Sequence, residues 1–286
     1  ATQAGKRFNF NYAGTDAEQV IQDDDLNTLA ILTRHHHHAP YVIAGLKAGK
    51  HVFCEKPLAL NQDELNEIQT VLATSSKILT VGFNRRFAPH TKRLKALLCT
   101  SEAPLAMHYR VNAGVLPATH WLHDPVQGGG RIVGEVCHFI DLLTYLCDSL
   151  PTRVYASALP SVGDYIEDNV SMTLTFKDGS IGTVSYFANG DRSLPKERLV
   201  VFQSGRVGIL DDFRSLTWIA DGRKRTYKSR LRQDKGHQGE WEAFVKAILT
   251  TQEPPIPYDH LFAVTRATFA AVQALRSSEP VSITTI

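Results

Sequence analysis

The stretch TLAILTRHHHHAPYVIAGLKAGKHVFCEKPL, residues 28–58, decides the fold of this chain. Its first six residues, Thr28–Thr33, form a short apolar run typical of a buried strand, and His51–Cys54 is a second such run. Between them lies a helical segment with Pro40 in its first turn and Gly49 at its end. A strand, a helix and a second strand in this order predict a parallel sheet with helices on its faces.

The same alternation continues for one more unit and changes after about residue 100. Asn61 is a credible N-cap for a helix that runs to Ala73, and Ile78–Val81 is a third strand. Beyond it, six alternating runs separated by Asp-Gly or Ser-Gly turns predict an antiparallel meander over residues 169–176, 181–187, 199–203, 207–210, 216–220 and 224–227. Two helices, over 135–147 and 239–249, are expected to frame this meander, and a last helix covers 261–275.

Composition excludes several classes of protein. The chain has 286 residues, 43% of them hydrophobic, and 31 Lys and Arg against 29 Asp and Glu, so it has no general attraction for nucleic acid or anionic membranes. No apolar run approaches the roughly 20 residues of a membrane-spanning helix, and residues 1–11 lack the apolar core of a signal peptide. The four cysteines are scattered without a CxxC pair. We therefore expect a cytoplasmic protein with reduced thiols.

The first candidate for chemistry is Glu55-Lys56-Pro57, which directly follows the second strand. It lies at the carboxyl edge of the predicted sheet, where ligands bind in open α/β folds. A lysine there can donate to a substrate hydroxyl or carbonyl and, when partly desolvated, can share a proton. The alternative is an ion pair at a strand end.

The second candidate is the glycine-rich segment Gly128–Asp141, GGGRIVGEVCHFID. Its glycines allow a close approach of a ligand, and Glu135 and His138 are expected on one face of the following helix, with Asp141 one turn further on. A histidine held by a carboxylate is a general acid/base arrangement. The alternative is a core histidine whose hydrogen bonds are satisfied by Asp141.

Three further segments are less specific. Asn84, Arg85 and Arg86 follow the third strand, where arginines suit phosphate or carboxylate but also cap helices. Four consecutive histidines, His35–His38, cannot converge on one metal ion, so we predict no metal and instead a loop that places one or two rings beside a cofactor. The basic stretch from Arg223 to Lys235 is either a solvated sheet edge or a site for an anionic group such as a nucleotide-sugar diphosphate; its cations are Arg223, Lys224, Arg225, Lys228, Arg230, Arg232 and Lys235.

Taken together, these segments resemble the GFO/IDH/MocA family of NAD(P)-dependent oxidoreductases, which act mostly on sugars, cyclitols and related polyols. The matching stretches are residues 30–58, residues 82–89 (GFNRRFAP) and the glycine-rich segment that ends in His138 and Asp141. The resemblance implies α/β architecture: an incomplete Rossmann domain over residues 1–100, and an α+β domain over residues 101–286 whose large open antiparallel sheet supports homodimers or homotetramers.

The resemblance also implies roles for single residues. Lys56 would contact the reacting hydroxyl and His138 would be the acid/base, with Glu135 and Asp141 as further candidates. The residues expected to bind the cofactor, NAD or NADP, are Thr33, Arg34, His35, His38, Glu55, Lys56, Pro57, Asn84 and Arg85.

Two departures from the family pattern concern the active site and the cofactor site. The usual aspartate four residues before the histidine is Gly134 here, with Glu135 beside it. No GxGxxG fingerprint is found, and residue 1 falls inside what resembles the second half of a Rossmann domain. We therefore expect a chain that lacks the front of this domain and binds cofactor weakly or not at all. The version RIVGEVCHF resembles a subgroup in which this module follows a zinc-type alcohol dehydrogenase domain.

The predicted function is hydride transfer between a nicotinamide cofactor and a hydroxyl or carbonyl carbon of a sugar, nucleotide-sugar or cyclitol. A non-catalytic nucleotide or sugar sensor on the same scaffold is the main alternative, because fold does not fix function. A metal-dependent hydrolase rests only on the histidine run.

Overall fold

Three short strands form the predicted parallel sheet. The computed structural model describes residues 2–161, 168–229, 232–251 and 253–284. The chain begins with two helices, α1 (Thr2–Phe8) and α2 (Ala17–Gln22). Strands and helices then alternate as β1 (Thr28–Ile31), α3 (His38–Lys47), β2 (His51–Cys54), α4 (Gln62–Thr74) and β3 (Leu79–Val81). The strands pair in parallel in the order β1-β2-β3. The predicted strand-helix alternation is confirmed.

Local signals in the sequence set the ends of these elements. Asn61 caps α4, since its side chain accepts a hydrogen bond of 2.9 Å from the main-chain N–H of Glu64. Gly49, beyond the end of α3, has a φ of +71°, which glycine adopts without strain. Val52 on the sheet and Leu65 on α4 are fully buried in one core.

Within the described residues, a second sheet holds nine strands, and its order differs from the predicted continuous meander. Its members are β4 (Ala106–Asn112), β5 (Pro151–Ala158), β6 (Asn169–Phe176), β7 (Ile181–Phe187), β8 (Glu197–Gln203), β9 (Arg206–Asp211), β10 (Ser215–Ala220), β11 (Arg223–Lys228) and β12 (Val281–Ser282). Their order is β11-β10-β9-β8-β4-β7-β6-β5-β12. All six predicted runs are strands, but β4 lies between β7 and β8, parallel to the former and antiparallel to the latter. The meander is therefore split into two halves.

The remaining helices pack on both sheets. They are α5 (Pro89–Leu98), α6 (Cys137–Cys147), α7 (His237–Lys246) and α8 (Tyr258–Ser277), with π-helical turns at Ile132–Val136 and Ala247–Thr251. The expectation that α7 frames the second sheet is wrong. Its Phe244 and Trp241 pack against Phe53 of β2, with ring centroids 5.8 and 5.4 Å apart, and so cover the parallel sheet. The domain boundary at residue 100 stays a prediction, since this later helix covers the earlier sheet.

Within the described part of the chain, no helix is both long enough and apolar enough to span a bilayer.

Two buried ion pairs join the segment after β3 to the second half of the chain. Arg85 donates two hydrogen bonds of 2.8 and 2.9 Å to the carboxylate of Glu197. Arg86 donates a hydrogen bond to each carboxylate oxygen of Asp141. All four side chains are at most 8% exposed. Burial alone would raise the pKa of Glu197, but Arg85 and Lys235 lower it to about 2. These pairs fix the position of one sheet relative to the other.

Glu197→Ala should strongly destabilise the protein, because it leaves the buried Arg85 without its counterion. Loss of one partner of a buried pair costs about 3–5 kcal/mol. The matched control is Asp211→Ala, which removes the exposed pair with Arg198, the residue next to Glu197, and should cost less than about 1 kcal/mol. The free energy of unfolding of both variants is measured by urea denaturation. Equal losses would contradict the role given to Arg85 and Glu197.

Candidate active site

Lys56 and the glycine-rich segment Gly128–Asp141 meet at the carboxyl edge of the parallel sheet. Lys56 follows β2, and its Nζ donates a hydrogen bond of 2.7 Å to the main-chain oxygen of Gly134. Gly134 lies within the π-helical turn, one helical turn before His138. The structure thus brings the ammonium of Lys56 beside the turn that leads into the helix of His138.

His138 is a buried, neutral base. It is 9% exposed, and its Nδ1 has no hydrogen-bond partner among the described residues, whereas Nε2 is not buried. Burial lowers the pKa of His138 well below its usual value, and the positive charges of Arg85, Lys56 and Lys196 lower it further. The imidazole is therefore uncharged at neutral pH and able to accept a proton at Nε2.

Glu135 lies in the π-helical turn, and the charge of Lys56 acts on its carboxylate. Tyr186 of β7 donates a hydrogen bond to it, and Arg131 lies 3.5 Å away. Burial alone would raise the pKa of Glu135, but Lys196 and Arg131, together with the Tyr186 hydroxyl, hold it below its usual value. Glu135 is therefore ionised beside Lys56.

Gly134 has no room for the family's aspartate. A Cβ at this position would lie 2.7 Å from Cε1 of His35 and 2.8 Å from Cδ1 of Leu122. His35 is itself fixed, because its Nδ1 donates a hydrogen bond of 2.7 Å to the main-chain oxygen of Gly128 and its ring packs edge-on against Trp121. A buried ring of the histidine run fills the space that a side chain at residue 134 would need.

The other predicted cofactor residues lie along the same sheet edge. His38 sits between the main-chain oxygens of Thr33 and Pro57, which are 3.1 and 2.7 Å from its ring nitrogens. Arg34 binds Gln127 and lies 5.6 Å from the Trp121 ring. Glu55 lies against Gly82, where a Cβ would be 3.0 Å from its carboxylate. The loops after β1 and β2 thus meet the glycine-rich segment at one edge.

Three predicted site residues have other partners, and these interpretations are corrected. Asp141 does not hold His138; it binds Arg86, inside the protein. The guanidinium of Arg85 is occupied by Glu197 and is not available to a cofactor phosphate. The side-chain amide of Asn84 donates a hydrogen bond of 2.8 Å to the main-chain oxygen of Lys235, and its Oδ1 accepts one of 3.4 Å from Arg85. The two arginines after β3 are therefore explained by buried ion pairs and not by ligand binding.

Sequence reasoning missed several charged groups around the site. Lys196 and Glu197 stand at the start of β8, and Glu240 lies on α7. Glu240 is 3% exposed, and burial together with the nearby Glu55 raises its pKa to about 9. One signal was available: Glu197 shares its strand face with Leu199 and Val201, so a carboxylate occupies an inward position that demands a buried partner.

Other parts of the molecule do not compete with this site. A cavity of about 550 Å³ lies between the glycine-rich segment and α8, but its lining includes none of the predicted catalytic or cofactor residues. In the described ranges, no group of three or more His, Cys, Asp or Glu side chains is arranged to hold a metal ion. On β11 the basic side chains are mostly exposed, whereas Lys235 binds Glu197 at 2.7 Å; Arg230 lies outside the described residues.

Two models of one protein family match this chain. Residues 1–83 match the family model described as the GFO/IDH/MocA oxidoreductase family with an NAD-binding Rossmann fold, and residues 103–207 match the model of the GFO/IDH/MocA C-terminal domain. The chain belongs to the GFO/IDH/MocA oxidoreductase family. The match to the Rossmann-fold model starts at residue 1, so it does not support the expectation that the front of this domain is missing.

Relatives of this GFO/IDH/MocA protein include named dehydrogenases. It is 26% identical to the uncharacterized oxidoreductase YrbE of Bacillus subtilis, over 95% of this chain and 82% of that protein. It is also 26% identical to the myo-inositol 2-dehydrogenase of Thermotoga maritima, over 88% and 78%. Among solved structures, levoglucosan dehydrogenase in complex with NADH and levoglucosan superimposes with a TM-score of 0.88 at 21% identity, covering 99% of this chain and 87% of that one.

Acid should destabilise the fold below the ordinary histidine pKa. Burial lowers the pKa of His35 from 6.5 to about 4. As pH falls below 6.5, the unfolded chain therefore binds a proton at this residue that the folded chain does not, and stability is lost. The expected loss is up to about 1.4 kcal/mol per pH unit between about pH 6.5 and pH 4.

Urea denaturation at about pH 7 and about pH 5 measures this loss. His35→Asn should show a smaller difference between the two pH values than the unaltered protein. His108→Asn, at an exposed position of β4, is the control and should leave the difference unchanged. The same pH dependence in all three proteins would refute the prediction.

Proposed function

We propose that this protein is an NAD(P)-dependent dehydrogenase that oxidises a hydroxyl carbon of a sugar, nucleotide-sugar or cyclitol, or reduces the corresponding carbonyl. One observation carries the proposal: Lys56, from the parallel sheet, reaches the main-chain oxygen of Gly134 on the segment that holds Glu135 and His138. A proton donor from one half of the chain therefore meets the segment that carries a neutral imidazole in the other half.

The residues at the sheet edge fit the nicotinamide end of the cofactor. Leu32, directly after β1, keeps 67% of its surface exposed, and Thr33 beside it is exposed as well. An apolar side chain left uncovered at the carboxyl edge of a parallel sheet suits a flat ring. Thr33, Arg34, His38, Glu55 and Pro57 would border the nicotinamide, which accepts or returns a hydride when the cofactor is bound.

The protein's own groups manage the proton. Lys56 donates to the oxygen of the reacting hydroxyl and stabilises negative charge that develops there. His138 accepts the hydroxyl proton at Nε2, because its lowered pKa keeps the imidazole neutral and this nitrogen unprotonated. Burial and the nearby cations then favour the release of this proton. Glu135, held by Tyr186 and Arg131, offsets the charge of Lys56.

The named relatives support the substrate class. Among the relatives found are the myo-inositol 2-dehydrogenase of Thermotoga maritima and a levoglucosan dehydrogenase of Pseudarthrobacter phenanthrenivorans, which is 26% identical over 66% of this chain and 56% of its own length. Both names denote dehydrogenases that act on a cyclitol or a sugar, and this supports the same substrate class here.

Lys56→Ala should lower turnover by at least about a hundredfold, the usual contribution of a positioned acid or base. Initial rates of NADH and NADPH formation are measured with myo-inositol and levoglucosan. Lys47→Ala is the control, because Lys47 is exposed on α3 and pairs with Glu67, at 3.7 Å. An unchanged rate in Lys56→Ala would exclude the catalytic role of Lys56.

The open face of the second sheet supports self-association as a homodimer or homotetramer. Ile181 and Phe202 both pair in register with Ala106, from either side of β4, so all three side chains point to the same face. Ile181 is 51% and Phe202 49% exposed. Uncovered apolar side chains in line across three strands are typical of a protein interface. We also propose a cytoplasmic location, which the four unpaired cysteines support.

Ile181→Glu and Phe202→Glu should each reduce the mass of the particle in solution to that of one chain, because they place charge in the buried interface. Size-exclusion chromatography with light scattering measures this mass. Val126→Glu is the control, since Val126 is 73% exposed but lies outside the sheet. A monomeric unaltered protein would refute the proposed assembly.

A further inference from the structure

A cavity between α4 and α8 is separate from the proposed active site. It encloses about 310 Å³, and its lining includes none of the predicted catalytic or cofactor residues. Helix α4 contributes Gln69, Leu72 and Ala73, which are three and four residues apart and therefore share one face of the helix. A space of this size admits a small organic molecule. We call it the α4–α8 cavity.

Helix α8 lines the α4–α8 cavity with three side chains at intervals of four residues. Tyr258, Phe262 and Arg266 lie along one face of the helix and place a hydroxyl, an aromatic ring and a guanidinium in that order. Phe262 and the facing Leu72 are buried, so the stretch between the two polar groups is apolar. The hydroxyl oxygen of Tyr258 accepts a hydrogen bond of 3.1 Å from the main-chain N–H of Leu79, which fixes this end of the cavity to the parallel sheet.

Arg266 is a buried cation without a counterion. It is 8% exposed, and Nη2 donates a hydrogen bond of 2.6 Å to the side-chain oxygen of Gln69. Among the described residues, no carboxylate lies within 4.0 Å of its guanidinium. Asp259 borders the same cavity, but it lies seven residues earlier on α8, about 10 Å along the helix axis.

The remaining N–H groups of Arg266 are open to a ligand. In the described part of the chain, Nε and Nη1 have no hydrogen-bond partner, and neither nitrogen is fully buried. Burial lowers the pKa of Arg266, but a guanidinium stays charged at ordinary pH. The α4–α8 cavity therefore holds a positive charge that no protein group neutralises.

We propose that the α4–α8 cavity binds a small organic carboxylate with an apolar body. The free N–H groups of Arg266 donate charge-assisted hydrogen bonds to the carboxylate, and the apolar body lies against Phe262 and Leu72. Arg266 is the only cation among the described residues of the lining, which suits one negative charge better than the two of a phosphate. This inference goes beyond the proposed dehydrogenase function and does not depend on it.

Calorimetric titration of the full chain tests this proposal with three probes. Phenylacetate carries a carboxylate on an apolar ring, phenylacetamide keeps the shape without the charge, and acetate keeps the charge without the ring. We expect phenylacetate to bind about tenfold or more tightly than either of the others, because its charged hydrogen bond and its buried ring both add to the affinity. Arg266→Met should lower its affinity to that of phenylacetamide, whereas Arg266→Lys should retain part of the difference.

Arg276→Met is the matched control, because it removes an arginine from an exposed position of α8 outside the α4–α8 cavity and should leave all three affinities unchanged. Ala73→Trp fills the cavity from an exposed position of α4 and should abolish phenylacetate binding with Arg266 in place. This variant decides the outcome if Arg266→Met does not fold. The proposal is overturned if phenylacetate does not bind, if phenylacetamide or acetate binds as tightly, or if either folded variant keeps the affinity of the unaltered protein.

Discussion

The buried pairs of Arg85 with Glu197 and of Arg86 with Asp141 are the contacts on which the rest of the structure depends. Both arginines follow the last strand of the parallel sheet, while Glu197 begins a strand of the nine-stranded sheet and Asp141 lies on α6. Two charge-assisted contacts with almost no exposure leave little freedom for one half of the chain to move against the other. These pairs therefore help to hold Lys56 beside the π-helical turn of Ile132–Val136.

Buried charges also set the pKa values of His138 and Glu135. Arg85 is committed to Glu197, yet its field helps to lower the pKa of His138 and keep the ring neutral. Glu135 stays ionised for the opposite reason, since Lys196 and Arg131 outweigh its burial. A neutral base and an ionised carboxylate on the same stretch of helix are thus a result of neighbours contributed by several elements.

Gly134 shows how a departure from the family pattern is accommodated. The main-chain oxygen at this position accepts the hydrogen bond of Lys56, so the lysine has a fixed partner without an aspartate. Gly134 lies within a π-helical turn, an irregularity that is frequent at functional sites. His35 fills the vacated volume, which gives one member of the histidine run a packing role.

The amino-acid sequence by itself determined the elements whose signals are local. Asn61 caps α4, Gly49 marks the end of α3, and the paired runs 169–176 and 181–187 form a hairpin, because capping, glycine conformation and two-residue periodicity act over a few neighbouring residues. It also placed Lys56 at the carboxyl edge of the sheet and predicted that it would meet the segment of His138. Only the tertiary structure decided the partners of Arg85, Arg86 and Asp141 and the insertion of β4 into the meander. These depend on which distant segments pack together, as for Arg85 and Glu197, which are 112 residues apart, and no local pattern encodes that choice.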